Sequence, residues 1–227
     1  MELSSSMKKQ IQSPDFEPRW PVALMILSVI LLLALLPDRI RLFPVWCFSI
    51  AGIVVLVPIV AVGLTAAKGR WLRIERVITL LFVAVTAGAT LANLGNLIQA
   101  MVSRSKEVSG LQLLTSSIAV WVTNVLMFSL LYWQMDRGGP ETRLNRTDTR
   151  PDWLFPQEGA PPEDVQPGWK ASFIDYLFLS YSTATAFSTT DVTPLTSRAK
   201  LLMMLESGIS LATIVIVAAR AINVLGS

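Results

Sequence analysis

A run of hydroxyl side chains closed by a carboxylate occupies residues 183–191: Thr183, Ala184, Thr185, Ala186, Phe187, Ser188, Thr189, Thr190 and Asp191, with Pro194 shortly after. Hydroxyl and carboxylate oxygens can replace part of a cation's hydration shell. They can equally satisfy the backbone of a turn held away from water. A second carboxylate, Glu206, is the only acid in the apolar block that follows. An acid in such a block is costly and faces either a bundle interior or water. Three readings stay open for it: lining a cation path, pairing with hydroxyls of the segment before it, or lying near a surface with Lys200. Gly208 stands two residues further on.

Other chemistry is excluded by what the chain lacks. It has no histidine and one cysteine, Cys47. That removes Ser-His-Asp and Cys-His catalysis, His-ligated metal sites, thiolate clusters and any intrachain disulfide. No acid–base constellation is visible, so an enzyme is not expected, and neither a cofactor nor a metal centre is implied. The net charge of +3 is modest, and the Lys and Arg residues lie between apolar blocks. They read as anchors at a lipid surface, with no nucleic-acid partner implied.

The elements that must position these oxygens follow from the apolar blocks. Of 227 residues, 52% are hydrophobic and 15% charged, against about 25% charged in soluble domains. A hydrocarbon core of about 30 Å takes roughly 20 apolar residues in a helix. Spans are expected at residues 20–36, 44–67, 77–101, 111–133 and 199–225. The first is read as a retained span, since Leu36-Pro-Asp-Arg-Ile-Arg41 lacks a small-x-small cleavage pattern. Thr86, Thr90, Asn93 and Asn96 share a face of the third span, with Gln99 beyond. That face should point into a bundle, as should Thr123 and Asn124 of the fourth. Arg70, Arg73 and Arg76 are spaced by three, but the run stops where the apolar block begins and Glu75 dilutes it, so they read as an interfacial anchor.

Residues 173–186 are apolar but too short to cross, which suits a re-entrant or interfacial helix. A short helix, a polar turn and a full helix in succession make a pore loop. Irregular backbone at membrane depth is tolerated only when buried in protein or lining water. The fold class expected is an all-α integral membrane protein with about five transmembrane helices and a re-entrant pore helix between the last two. The parts are a polar tail (1–19), a three-span bundle (20–110) and a pore-like module (111–227). The module holds an outer helix (111–133), a polar loop (134–172), the pore helix with its filter-like turn (173–194) and an inner helix (199–225).

Thr183-Ala-Thr185, then Ala186 to Asp191, then Pro194, resembles the pore module of potassium-channel-like proteins. There a pore helix ends in T-x-T before a T-V-G-Y-G-D filter and a proline. Aligned on Asp191, the filter positions fall on Ala186, Phe187, Ser188, Thr189 and Thr190, and Gly208 lies close to a hinge glycine of the inner helix. The likeness covers about the last 60 residues. The C-terminal part is also similar to a large family of uncharacterised bacterial membrane proteins, from which no activity follows. The resemblance implies a homotetrameric channel in the cell (inner or plasma) membrane passing monovalent or divalent cations. Ser188 and Thr190 replace glycines whose backbone angles a Cβ disfavours. Any filter should therefore be wider or differently shaped and weakly selective, lined by the hydroxyls of Ser188, Thr189 and Thr190, with Asp191 giving a ring of charge at the mouth if copies assemble round an axis. The alternatives are a non-conducting structural or accessory protein and a small-solute transporter. A second copy of the 173–194 pattern, which repeat-built transporters would show, is not found.

Orientation is in conflict. Basic residues in the loop at 68–76 favour a cytoplasmic N-terminus. The resemblance places the N-terminus and long loop outside, where the loop's seven acids against five bases would suit a cation vestibule.

Overall fold

The computed structural model describes residues 19–36, 44–64, 69–102, 110–145, 149–185 and 192–225. The protein is mostly helical. Its long helices are α1 (Trp20–Leu35), α2 (Val45–Leu64), α3 (Gly69–Val102) and α4 (Gly110–Met135). A 3-10 turn at Asp136–Gly138 leads to two short helices, α5 (Pro140–Asn145) and α6 (Pro156–Gly159), with a two-residue strand β1 (Trp153–Leu154) between them. Then come α7 (Phe173–Thr185), strand β2 (Thr193–Pro194) and α8 (Ser197–Leu225).

Among the described residues, three helices are long and apolar enough to cross a membrane, over Arg70–Gln99, Leu111–Gly138 and Ser197–Ala219. The helix α1 has 16 residues, about 24 Å at 1.5 Å per residue. In α2 the apolar stretch Ile50–Leu64 is likewise shorter. Pro58 lies inside α2, where it removes one backbone donor. The helix α3 starts earlier than its apolar block, so the residues Arg70 to Arg76 form its first two turns. Arg residues are good helix formers, and Leu72 between them is buried.

Large apolar side chains face outward along the long helices, and polar ones are buried between the helices beside an apolar core. Leu24, Leu27, Leu31 and Leu35 of α1, Val77, Leu81 and Val85 of α3, and Leu201, Leu205, Leu211 and Val215 of α8 are exposed. Thr79, Thr86, Thr90 and Asn93 of α3, Ser116, Ser117, Thr123, Asn124 and Ser129 of α4, and Ser210 and Thr213 of α8 are buried. Apolar surface outside and polar groups inside is what lipid as solvent requires. The polar face expected on α3 therefore packs inward, with Asn96 half-buried and Gln99 exposed at its end.

The helix α4 is the hub, packing against α1, α3, α7 and α8. One end of the bundle is tied by named contacts. Arg19, just before α1, pairs with Glu75 of α3 at 3.6 Å, and its guanidinium lies 4.9 Å from the centre of the Trp133 ring on α4. Arg76 donates to the Gly138 carbonyl. Arg143 donates to the carbonyls of Trp133 at 2.8 Å and Asp136 at 3.1 Å, supplying partners that the last turn of a helix lacks.

Candidate functional site

Beyond α4 the chain must reverse within three residues. Arg137, Gly138 and Gly139 all take positive φ, at 52°, 77° and 91°, which glycine adopts without strain. At Gly139 a Cβ would also lie 2.8 Å from the Gln134 carbonyl. This reversal sets Asp136 facing inward. Its carboxylate accepts from the Tyr176 hydroxyl of α7 at 2.7 Å and from the Asp152 backbone N–H at 2.7 Å. Asp152 in turn accepts from Thr196 at 2.6 Å and from Arg198 through two nitrogens, Nε at 2.6 Å and Nη2 at 2.5 Å. Its own carbonyl accepts from Leu195 N at 2.8 Å. The fork of Arg198 is the bidentate geometry that makes such pairs strong and directional.

These contacts hold β1 beside β2, with Trp153 opposite Pro194 and Leu154 opposite Thr193. Trp153, fully buried, donates to Met203 Sδ at 3.4 Å and packs on the Tyr132 ring at 4.7 Å. The start of α7 is seated at the same end: Phe173 meets Trp133 edge-on at 5.9 Å, and Asp175 accepts from Ser172 N and Oγ at 2.7 and 2.8 Å. That last arrangement is an N-cap that orients the helix. So α7 begins, and β2 returns, at one end of the bundle. Thr183 near the far end of α7 accepts from Ser207 of α8 at 3.2 Å. Ser207 lies nine residues beyond Arg198, about 13 Å along the helix.

Below this clasp of Asp136, Asp152 and Arg198, Glu206 is fully buried where α4, α7 and α8 meet. Tyr132 of α4 donates to its Oε2, and Ser180 of α7 donates to its Oε1. Ser180 Oγ also lies 2.7 Å from the Val125 carbonyl. Asn124 donates to the Glu206 carbonyl at 3.2 Å and lies 3.0 Å from Ser210 Oγ. Of the three readings open for Glu206, the structure shows the pairing with a hydroxyl of the preceding short helix, Ser180 of α7, and adds Tyr132. Lys200 is exposed on a higher turn.

The other expected site residues divide. Thr185 ends α7, half-buried, its hydroxyl bonded back to Tyr181 and Ser182. Ala186, Phe187, Ser188, Thr189, Thr190 and Asp191 lie outside the described residues. Gly208 sits inside a continuous α8 on an exposed face, with open space beside it. The long loop corrects one expectation: Asp136 and Asp152 are fully buried and bonded, so these two acids do not contribute to an open vestibule. Among the described residues no cluster of three or more metal-ligating side chains occurs. Comparison with protein-family models, with curated proteins and with solved structures found no match.

Proposed function

We propose that α4, α7 and α8 form a channel-like pore module, and that four copies assemble round an axis in a cell membrane to pass cations with weak selectivity. In this reading α1 to α4 and α8 are the five spans, α7 is re-entrant, and the long loop faces outside. The observation that carries it is the seating of α7. Its first residue and the returning strand β2 share one end of the bundle, while Thr183 lies beside Ser207, about three turns into α8. This supports a segment that enters and leaves from one side, since lipid tolerates irregular backbone only where protein or water covers it. The hydroxyl-rich stretch from Thr185 to Asp191 joins those two points.

Two measurements test this reading. Cysteines placed at the exposed positions Lys170 and Leu195 should label from the same side of sealed vesicles; labelling from opposite sides rules out the re-entrant path. Purified protein in planar bilayers should conduct cations over anions, with nearly equal permeability for potassium and sodium. Strong potassium selectivity would contradict the argument from Ser188 and Thr190. Asp191→Asn should lower conductance at low salt and much less at high salt, because screening shortens the reach of a charge.

A further inference from the structure

The carboxyl of Glu206 is fully buried at a junction of three helices, and no basic side chain among the described residues pairs with it. An ion there, unmatched by a counter-ion, is costly at membrane depth. What surrounds it is an arrangement of hydroxyls that serves either protonation state. Ionised, Oε1 accepts from Ser180 and Oε2 accepts from Tyr132. Protonated on Oε1, the acid donates to Ser180 Oγ, and Ser180 turns its own proton to the Val125 carbonyl, 2.7 Å away. Tyr132 donates in both. Each state leaves the carboxyl oxygens bonded, as buried polar groups require.

We propose that Glu206 is a reversible proton-binding site whose occupancy decides how the short helix α7 is held. The step adds one proton from solvent to the carboxylate and neutralises one buried negative charge. With the proton on, a continuous chain runs from α8 through Ser180 to α4, and α7 is tied to both long helices. With the proton off, the hydroxyl of Ser180 is drawn to α8 alone and its link to Val125 is lost.

Few other titratable groups reach the site. From α4, Tyr132 is in direct contact. On α7, Asp175 is bonded to Ser172 and Tyr176 to Asp136, while Tyr181 packs against Trp121 at 6.0 Å. The charged residues of α3 lie in its first two turns, where Glu75 meets Arg19 and Arg76 meets Gly138. Arg198 of α8 is held by Asp152.

The inference rests on contacts within one copy of the chain and does not depend on conduction; a silent bilayer leaves it standing. Infrared difference spectra of the protein in lipid, taken between about pH 4 and pH 10, should show a carboxylic-acid carbonyl band that grows on acidification and is absent in Glu206→Gln. Amide hydrogen exchange, corrected for the intrinsic effect of pH, should show α7 about fivefold better protected at the acid end, the factor for roughly one net hydrogen bond. Glu206→Gln reproduces the donor and acceptor of the neutral acid, so its α7 should stay at the acid-end protection across the range. Ser180→Ala retains the carboxyl, so its band should persist while the protection of α7 no longer follows it; this variant keeps the test open should the glutamine variant not fold. The proposal is overturned by a Glu206 band that does not change with pH, by equal pH dependence of protection in the wild type and Glu206→Gln, or by full pH dependence in Ser180→Ala.

Discussion

Tyr132 shows how much depends on one hydroxyl. Its ring fits between Phe128 at 5.8 Å and Trp153 at 4.7 Å, so Phe can take its place without a change of shape. Tyr132→Phe then leaves Glu206 Oε2 without its donor, and an orphaned buried acceptor costs about 1–3 kcal/mol. The melting temperature in mild detergent should fall, and combining the change with Glu206→Gln should give less than the sum of the two losses. Additive losses would place Tyr132 outside the carboxyl site. Arg198 permits a milder test, because its side chain is 57% exposed while that of Asp152 is fully buried. Arg198→Lys keeps the charge but not the fork, with an expected loss of about 1 kcal/mol. Asp152→Ala should cost more, since it strips Thr196 and Arg198 of a shared acceptor. Hydrogen exchange at Leu195, which donates to Asp152, reads both variants, and an unchanged rate in Asp152→Ala would remove the clasp from the account. The sequence offered a hydroxyl of the preceding short helix as one of three partners for Glu206, but it pointed to none of the others. Glu206 stood out because an acid among apolar residues is conspicuous, but Ser180 is 26 residues away and Tyr132 is 74. Asp136 and Asp152 looked like members of a solvated loop, and only the reversal at Gly138–Gly139 turns them inward.

At the scale of elements, what was legible was length. Helices expected at 111–133, 173–186 and 199–225 are found at Gly110–Met135, Phe173–Thr185 and Ser197–Leu225. Apolar runs fix these because every backbone group must find a partner within the helix itself. The start of α3 was misplaced because its opening turns carry charge, and hydropathy does not register a helix that continues past the apolar block. The pairing of β1 with β2 was invisible, since two residues per strand carry no period. Two glycines should separate conformational need from mere presence. Gly139→Ala forces a Cβ into positive φ and against the Gln134 carbonyl, and should lower stability by about 1–3 kcal/mol. Gly208→Ala meets nothing within 4 Å and should raise helix stability by up to about 1 kcal/mol. If Gly208→Ala reduces conduction while raising the melting temperature, the glycine serves bending or contact between copies.

For the whole molecule, the sequence carried the topology in coarse form: apolar blocks, a short helix before the last of them, and polar groups on inward faces. It did not carry the side of the membrane on which the ends lie, because the arginines of the loop at 68–76 and the acids of the long loop argue oppositely. The structure gathers Arg19, Glu75, Asp136, Asp152 and Arg198 at one end, and the exposed residues Pro161 to Asp164 belong to the loop at that same end. Protease added to intact cells should cut within this loop if the end faces outward, leaving a fragment that contains α7 and α8. Cleavage only in inverted vesicles would reverse the orientation proposed above.

The carboxyl site also has a history within the synthesis of each chain. Tyr132 emerges from the ribosome 74 residues before Glu206, and Asp152 emerges 46 residues before Arg198. Until α8 is made, α7 can pack against α4, but it lacks the acid that Ser180 binds, and Asp152 lacks the Arg198 fork. A nascent chain interrupted before Glu206 therefore presents α7 on α4 alone, with no acid for Ser180. The arrival of α8 supplies the rest of the seat of α7, Glu206 for Ser180 and Ser207 for the Thr183 carbonyl, so α7 gains its full set of contacts only after α8 has packed.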